Sequence, residues 1–172
     1  MSANKRPFAD TGYDCKQFAL TSPISPMQAV QSGEMLAGMD PWLTLNFSAS
    51  ALARYLTRED PALHRYAIML EAKLAGVIAI RYPWLRGPFI EMLGLTDSYQ
   101  GQNIGKKLLQ WVEMETCTEA KNIWVTASSF NQRALGFYQR QGFQQAGLLE
   151  GLICQDHDEI LLRKCIEPMR PD

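Results

Sequence analysis

Hydrophobic positions along the chain follow two rhythms, and the change falls near Tyr66. Before it the spacing is helical. Ser25-Pro26 predicts a helix start with proline at the first helical position, and Met27, Val30, Met35 and Met39 recur at rough helical spacing until Asp40-Pro41 ends the run. Trp42, Leu43, Leu45 and Phe47 form an apolar connection. Ser48 or Ser50 then caps a second helix with Leu52, Tyr55 and Leu56 inward. From Tyr66 the pattern is that of strands. YAIMLEA and LAGVIAIRY read as a hairpin joined between Glu71 and Gly76, and FIEMLGL (Phe89 to Leu95) reads as a third strand. A helix with Ile104, Leu108, Trp111 and Val112 on one face follows. Asn122 to Ala127 is then a strand parallel to the Phe89 strand, because a helix joins the two. Asn131 caps a last helix with Ala134, Leu135, Phe137 and Tyr138 on its apolar side and Gly142 at its stop. Residues 142–149 and 158–163 close the fold as a hairpin. Lys16 to Thr21 is the expected first strand.

A length of 172 residues suits one domain with a proper core, taken as residues 15–166 between a polar, mobile tail (1–14) and a short C-terminal tail (167–172). Seventeen basic and eighteen acidic residues leave a net charge of −1, so no overall basic field argues for nucleic acid or an anionic membrane. No apolar run approaches the ~20 residues a membrane helix needs, and MSANKRPFADTGYD lacks the apolar core of a signal peptide. Cys15, Cys117, Cys154 and Cys165 are scattered, and only His64 and His157 are at hand, which argues against a metal site. Reduced thiols in a cytoplasm are the simplest account.

Chemistry concentrates between Phe89 and Leu109. Glu91 puts a carboxylate in an apolar run, costly unless it is paired or faces a wet cleft; a surface position on an edge strand is the equal alternative. Gly94 within a strand marks a bulge or a close approach. Beyond it, Gln100-Gly101-Gln102-Asn103-Ile104-Gly105 leads into the helix, with Asn103 able to adopt a left-handed conformation and Gly105 able to admit a neighbour. The helix's first turn carries unpaired N–H groups and a positive dipole end, a seat for phosphate beside Lys106 and Lys107. The segment is one residue too short for a P-loop, and no G-x-G-x-x-G occurs in it.

The Gln100–Gly105 segment resembles the Q/R-x-x-G-x-G/A signature of the GNAT superfamily of acyl-CoA-dependent N-acetyltransferases, with Asn103 where glycine is usual. NQRALGFYQRQGF (Asn131 to Phe143) resembles the family's second hallmark, N-x-x-A-x-x-x-Y-x-x-x-G-F, in the right order and at about the right distance. The resemblance spans residues 16–164. It implies a mixed α/β GNAT fold: a twisted, mostly antiparallel sheet of six or seven strands with one splayed parallel pair, flanked by about four helices. It also implies acetyl-CoA as cofactor. Its pyrophosphate would be held by Gln100, Gly101, Gln102, Asn103, Ile104, Gly105 and Lys106, and its pantetheine would lie along Leu93 to Leu95, where the strand splays at a bulge.

Tyr138 falls on the family's general-acid position, although a core tyrosine beside Phe137 is the plain alternative. Asn131 falls on a cofactor-contacting position that a helix cap alone also explains. Glu91 resembles the family's general base acting through water. Arg133 and Arg140 either meet the 3′-phosphate or form a solvated face. The resemblance implies a primary-amine acceptor, bound near Met39, Trp42 and Phe47, whether a peptide α-amine, a protein lysine or a small molecule. The DEILLRK segment resembles the end of ribosomal-protein N-terminal acetylases, favouring a peptide amine. The rival reading is an acyl-CoA-binding GNAT module without turnover. A homodimer is compatible with either.

Overall fold

The computed structural model describes residues 6–9 and 11–166. In chain order the elements are β1 (Gly12–Asp14), β2 (Ala19–Thr21), α1 (Pro26–Ala37), α2 (Ala49–Thr57), β3 (Leu63–Leu70), β4 (Lys73–Trp84) and β5 (Gly87–Leu95). A 3-10 turn (Asp97–Tyr99), α3 (Ile104–Thr116), β6 (Asn122–Ser128), α4 (Gln132–Arg140), β7 (Gln144–Cys154) and β8 (His157–Cys165) follow. The strands form one sheet in the order β1-β2-β3-β4-β5-β6-β8-β7. Every neighbouring pair is antiparallel except β5 and β6. Among the described residues no helix is long and apolar enough to cross a membrane.

Side-chain alternation divides the sheet into two faces. On one, Ile78, Ile80, Ile90, Ile123, Val125 and Leu162 pack with Leu108 and Val112 of α3 and with Tyr138 of α4. On the other, Ala67, Val77, Ala79 and Met92 pack with Leu36 of α1 and with Leu52 and Leu56 of α2. Burial of the leucine, isoleucine, valine and methionine side chains among them, each stabilising by about 1.5–3 kcal/mol, holds both helical layers to the sheet.

Eight described strands replace the six or seven expected, and the N-terminal segment is the reason. Residues 6–14 do not all lie in a tail. Phe8 is 2% exposed, its ring meeting Trp111 and Tyr82 edge-on. Tyr13 stacks edge-on against Trp111 at 5.0 Å and donates to Glu115 Oε2 at 2.8 Å. These aromatic contacts anchor β1, which pairs with β2. The strand expected from Lys16 starts at Ala19, because Lys16 is left-handed (φ 66°) and belongs to the β1–β2 turn. The expected C-terminal tail, residues 167–172, lies outside the described residues.

Helix α1 starts as read, with Pro26 first and Ser25 forming a capping box with Gln28. Its inward face carries mostly small residues. Ala29, Ser32, Gly33 and Leu36 are buried, whereas Met27 and Val30 are exposed. A β-carbon at Gly33 would strike the backbone of Ala49, so small residues decide which face meets α2.

Candidate active site at the split between β5 and β6

The parallel pair is short. Phe89 faces Trp124 and Ile90 faces Val125, and the two strands pair no further. Beyond these residues β5 and β6 diverge, leaving one edge of β5, Leu93 and Leu95 included, without a partner strand. A cavity of about 350 Å³ fills the gap. Trp42, Leu45, Phe47 and Tyr55 line it on the α1–α2 side, and Asn131 and Tyr138 on the α4 side.

Glu91 sits where the split begins. Ile80 pairs with Ile90 and Ala79 with Met92, so Glu91 is the extra residue of a β-bulge. The bulge expected at Gly94 therefore lies three residues earlier. Gly94 pairs regularly with Val77, and a β-carbon there would strike Leu36 and approach Trp42 at 3.4 Å, so the glycine admits α1 and the Trp42 ring. Both oxygens of Glu91 are engaged: Arg81 Nε donates to Oε1, and Tyr55 Oη donates to Oε2 at 2.7 Å. Arg81 also pairs with Asp60 at 3.0 Å, and the guanidinium holds the Asp60 carboxyl below its usual range. Burial, reinforced by the bond to Glu91, pushes the Tyr55 phenol far above its ordinary value.

The loop after β5 has the features of an anion seat. Gly101 (φ 77°) and Asn103 (φ 62°) are left-handed, and Asn103 caps α3 without a side-chain bond. The backbone N–H groups from Gly101 to Lys106 donate to nothing among the described residues. The Gln100 and Gln102 side chains are not free for a ligand; they brace the loop by donating to Leu95 O at 2.8 Å and Ser98 O at 2.9 Å. Lys107 is tied to Gln17 Oε1 at 2.6 Å, while Lys106 is exposed beside the open N–H groups. Gly105 meets the α4 helix, since a β-carbon there would lie 3.0 Å from the Phe137 ring. Because Asn tolerates the left-handed region and Ala does not, Asn103→Ala should lower stability by about 1–2 kcal/mol in urea unfolding; an unchanged midpoint would show that the loop relaxes freely.

Tyr138 is buried with its ring against Phe137 and Phe143, at 5.1 and 5.4 Å. Its hydroxyl makes no hydrogen bond among the described residues. Burial alone lifts its pKa well above the ordinary phenol value, so it keeps its proton at neutral pH. Asn131 caps α4 through Oδ1, which accepts from Ala134 N at 3.2 Å, and it also borders the cavity. Of the acceptor-side candidates, Trp42 and Phe47 line the cavity, whereas Met39 packs into the core beside α1. Arg133 and Arg140 lie on the exposed face of α4.

One site residue escaped the sequence reading. Glu159 on β8 is only 3% exposed and lines the cavity. Ser128, directly across on β6, donates its hydroxyl to Glu159 Oε1 at 2.5 Å. Burial raises the Glu159 carboxyl above its usual range, against smaller lowering effects from Ser128 and His157. The only sequence trace was its alternation with Ile160 and Leu162, which cannot distinguish an exposed carboxylate from a cavity-facing one. The raised pKa means that folding favours the protonated acid. Stability from this group is full below the ordinary carboxyl value of ~4.5 and is lost as pH rises through the raised one. Glu159→Gln should therefore melt above wild type at about pH 8, with the gap closing towards about pH 4. A lower melting temperature across that range would contradict this.

The sequence model described as the Acetyltransferase (GNAT) family matches residues 27–143. The N-alpha-acetyltransferase RimI of Mycobacterium tuberculosis is 26% identical over 133 residues, covering 76% of this chain and 78% of RimI. Solved structures share the fold. The Salmonella typhimurium acetyl transferase that modifies the N-terminal serine of ribosomal protein L7/L12 superposes with a TM-score of 0.73, at 16% identity over 91% of this chain and 99% of its own. An aminoglycoside 6′-N-acetyltransferase complexed with coenzyme A gives a TM-score of 0.69, at 17% identity over 90% and 99%.

Proposed function

This chain belongs to the GNAT acetyltransferase family and is an acyltransferase, and on that premise we propose that it moves the acetyl group of acetyl-CoA to the α-amine of a peptide or protein by direct attack. The observation that carries this reading is a single cavity at the β5–β6 split that brings the buried phenol of Tyr138 beside the unpartnered edge of β5. Acetyl-CoA, when bound, supplies the activated thioester. The chain's residues fit it: the open N–H groups from Gly101 to Lys106 at the start of α3 suit its pyrophosphate, and Lys106 adds positive charge beside them. The free edge of β5 through Leu93 and Leu95 offers backbone N–H groups to the pantetheine and to the developing oxyanion. Asn131 borders the same channel. Tyr138 gives its proton to the departing thiolate.

Two things favour a peptide α-amine. RimI, the relative matched over most of its length, is named an N-alpha-acetyltransferase, and the Salmonella neighbour modifies an N-terminal serine. An α-amine, with a pKa of about 7.7–8, also presents far more neutral nucleophile at neutral pH than a lysine at ~10.4. Tandem mass spectrometry of peptides carrying both a free N-terminus and an internal lysine, incubated with protein and acetyl-CoA, tests the proposal. The acetyl group is expected on the N-terminus; acetylation confined to lysine would refute it.

A further inference from the structure

We propose that Glu159 is the cation seat of the acceptor site: its carboxylate binds the acceptor's ammonium and takes the proton that must leave before the nitrogen attacks. This rests on the acetyltransferase reading and names the group that receives the amine.

Charge sets Glu159 apart. Among the described residues lining the cavity, Glu91 and Glu159 are the only charged ones, and both are acidic. Glu91 is neutralised by Arg81, and its second oxygen accepts from Tyr55. Glu159 has no such counter-ion. Ser128 donates to one oxygen, and the other accepts from nothing among the described residues. A carboxylate that is 3% exposed and without a cation is costly, and a ligand cation relieves that cost.

Position supports the same role. Glu159 pairs directly with Ser128, so both point from the same sheet face. By alternation from Ile160 and Leu162, that face is opposite the α3 layer and shared with Met92 and the α2 helix. An acceptor entering past the apolar walls of Trp42, Phe47 and Ile153 meets Glu159 on its own side of the split, with Tyr138 reached through the gap. The titratable groups around Glu159 are His157 on its own strand, and Glu91, Tyr55 and Tyr138, which line the same cavity. Burial raises its affinity for protons, the direction a proton acceptor needs.

The proton balance closes. The ammonium passes one proton to Glu159, and the freed nitrogen forms its bond to the thioester carbonyl carbon. The carbon–sulfur bond breaks as Tyr138 protonates the sulfur. The nitrogen's surplus proton returns to the Tyr138 phenolate, and Glu159 releases its own to solvent as the amide leaves.

The test compares binding by calorimetry of a short apolar peptide with a free N-terminus and its desamino analogue, together with an alkylamine and the matching alcohol, to wild type and to Glu159→Gln. Wild type is expected to prefer the amine of at least one pair by about tenfold or more. Glu159→Gln should erase that preference and lower kcat/KM by ~10²–10⁴ with the same amine, while its affinity for coenzyme A is kept. Preference confined to the alkylamine pair would refute the peptide acceptor and uphold Glu159. No preference in wild type, or one that survives in Glu159→Gln, would overturn the proposal, and the wild-type measurement decides even if the variant fails to fold.

Discussion

Tyr138→Phe should lower kcat by about 10²–10⁴-fold, the usual contribution of a positioned general acid, while coenzyme A binds as before. The substitution removes one oxygen. The ring contacts with Phe137 and Phe143 persist, so the core around α4 is kept and stability changes little. The hydroxyl has no protein partner among the described residues to leave unsatisfied. What is lost is a proton held ready in a buried pocket. Burial alone raises its pKa, so the phenol keeps its proton at neutral pH and is available to the negative charge that would develop on the sulfur. Thiol release followed with a chromogenic disulfide checks this. Full turnover in the variant with intact coenzyme binding would reduce Tyr138 to a core residue.

Gly76→Val carries the largest expected effect on stability. Gly76 lies on β4 opposite Leu95, and a β-carbon there would collide with the carbonyl oxygen of Gly94 and press on Leu95 Cδ2 at 3.0 Å. The first obstacle is backbone, which cannot rotate away as a side chain would. Relief requires β4 and β5 to separate at the point where β5 feeds the loop before α3. A loss of about 3 kcal/mol or more is expected, at or beyond the upper end of overpacking costs, together with weaker coenzyme binding in whatever fraction folds. Urea unfolding measures the first and calorimetry the second. A wild-type midpoint would mean that the strands part at little cost.

Much of the fold was legible because its signals are local. Ser25-Pro26, Ser48 and Asn131 start helices through backbone geometry that neighbours decide. The parallel β5–β6 pair followed from the helix between them. The errors arose where distant residues decide. Nothing within residues 6–14 reveals that Phe8 and Tyr13 meet Trp111 about a hundred residues later. The spacing of Met27, Val30, Met35 and Met39 does not tell which face of α1 is buried, because close approach to α2 selects small residues such as Gly33. The bulge was placed at Gly94 because glycine often marks one, but the register puts it at Glu91, whose carboxylate is held by Arg81 and Tyr55 from two other elements. Glu159 gave no warning, since its burial depends on strands that pair only in the folded sheet.

In the proposed function, the split between β5 and β6, with the open N–H groups after β5, binds acetyl-CoA. Calorimetric titration with acetyl-CoA, with 3′,5′-ADP as the fragment control, tests it most directly. Saturable binding that weakens sharply when the pantetheine arm is absent is the predicted result, because the nucleotide end alone cannot use the edge of β5. No binding of acetyl-CoA, or equal binding of the fragment, would contradict it.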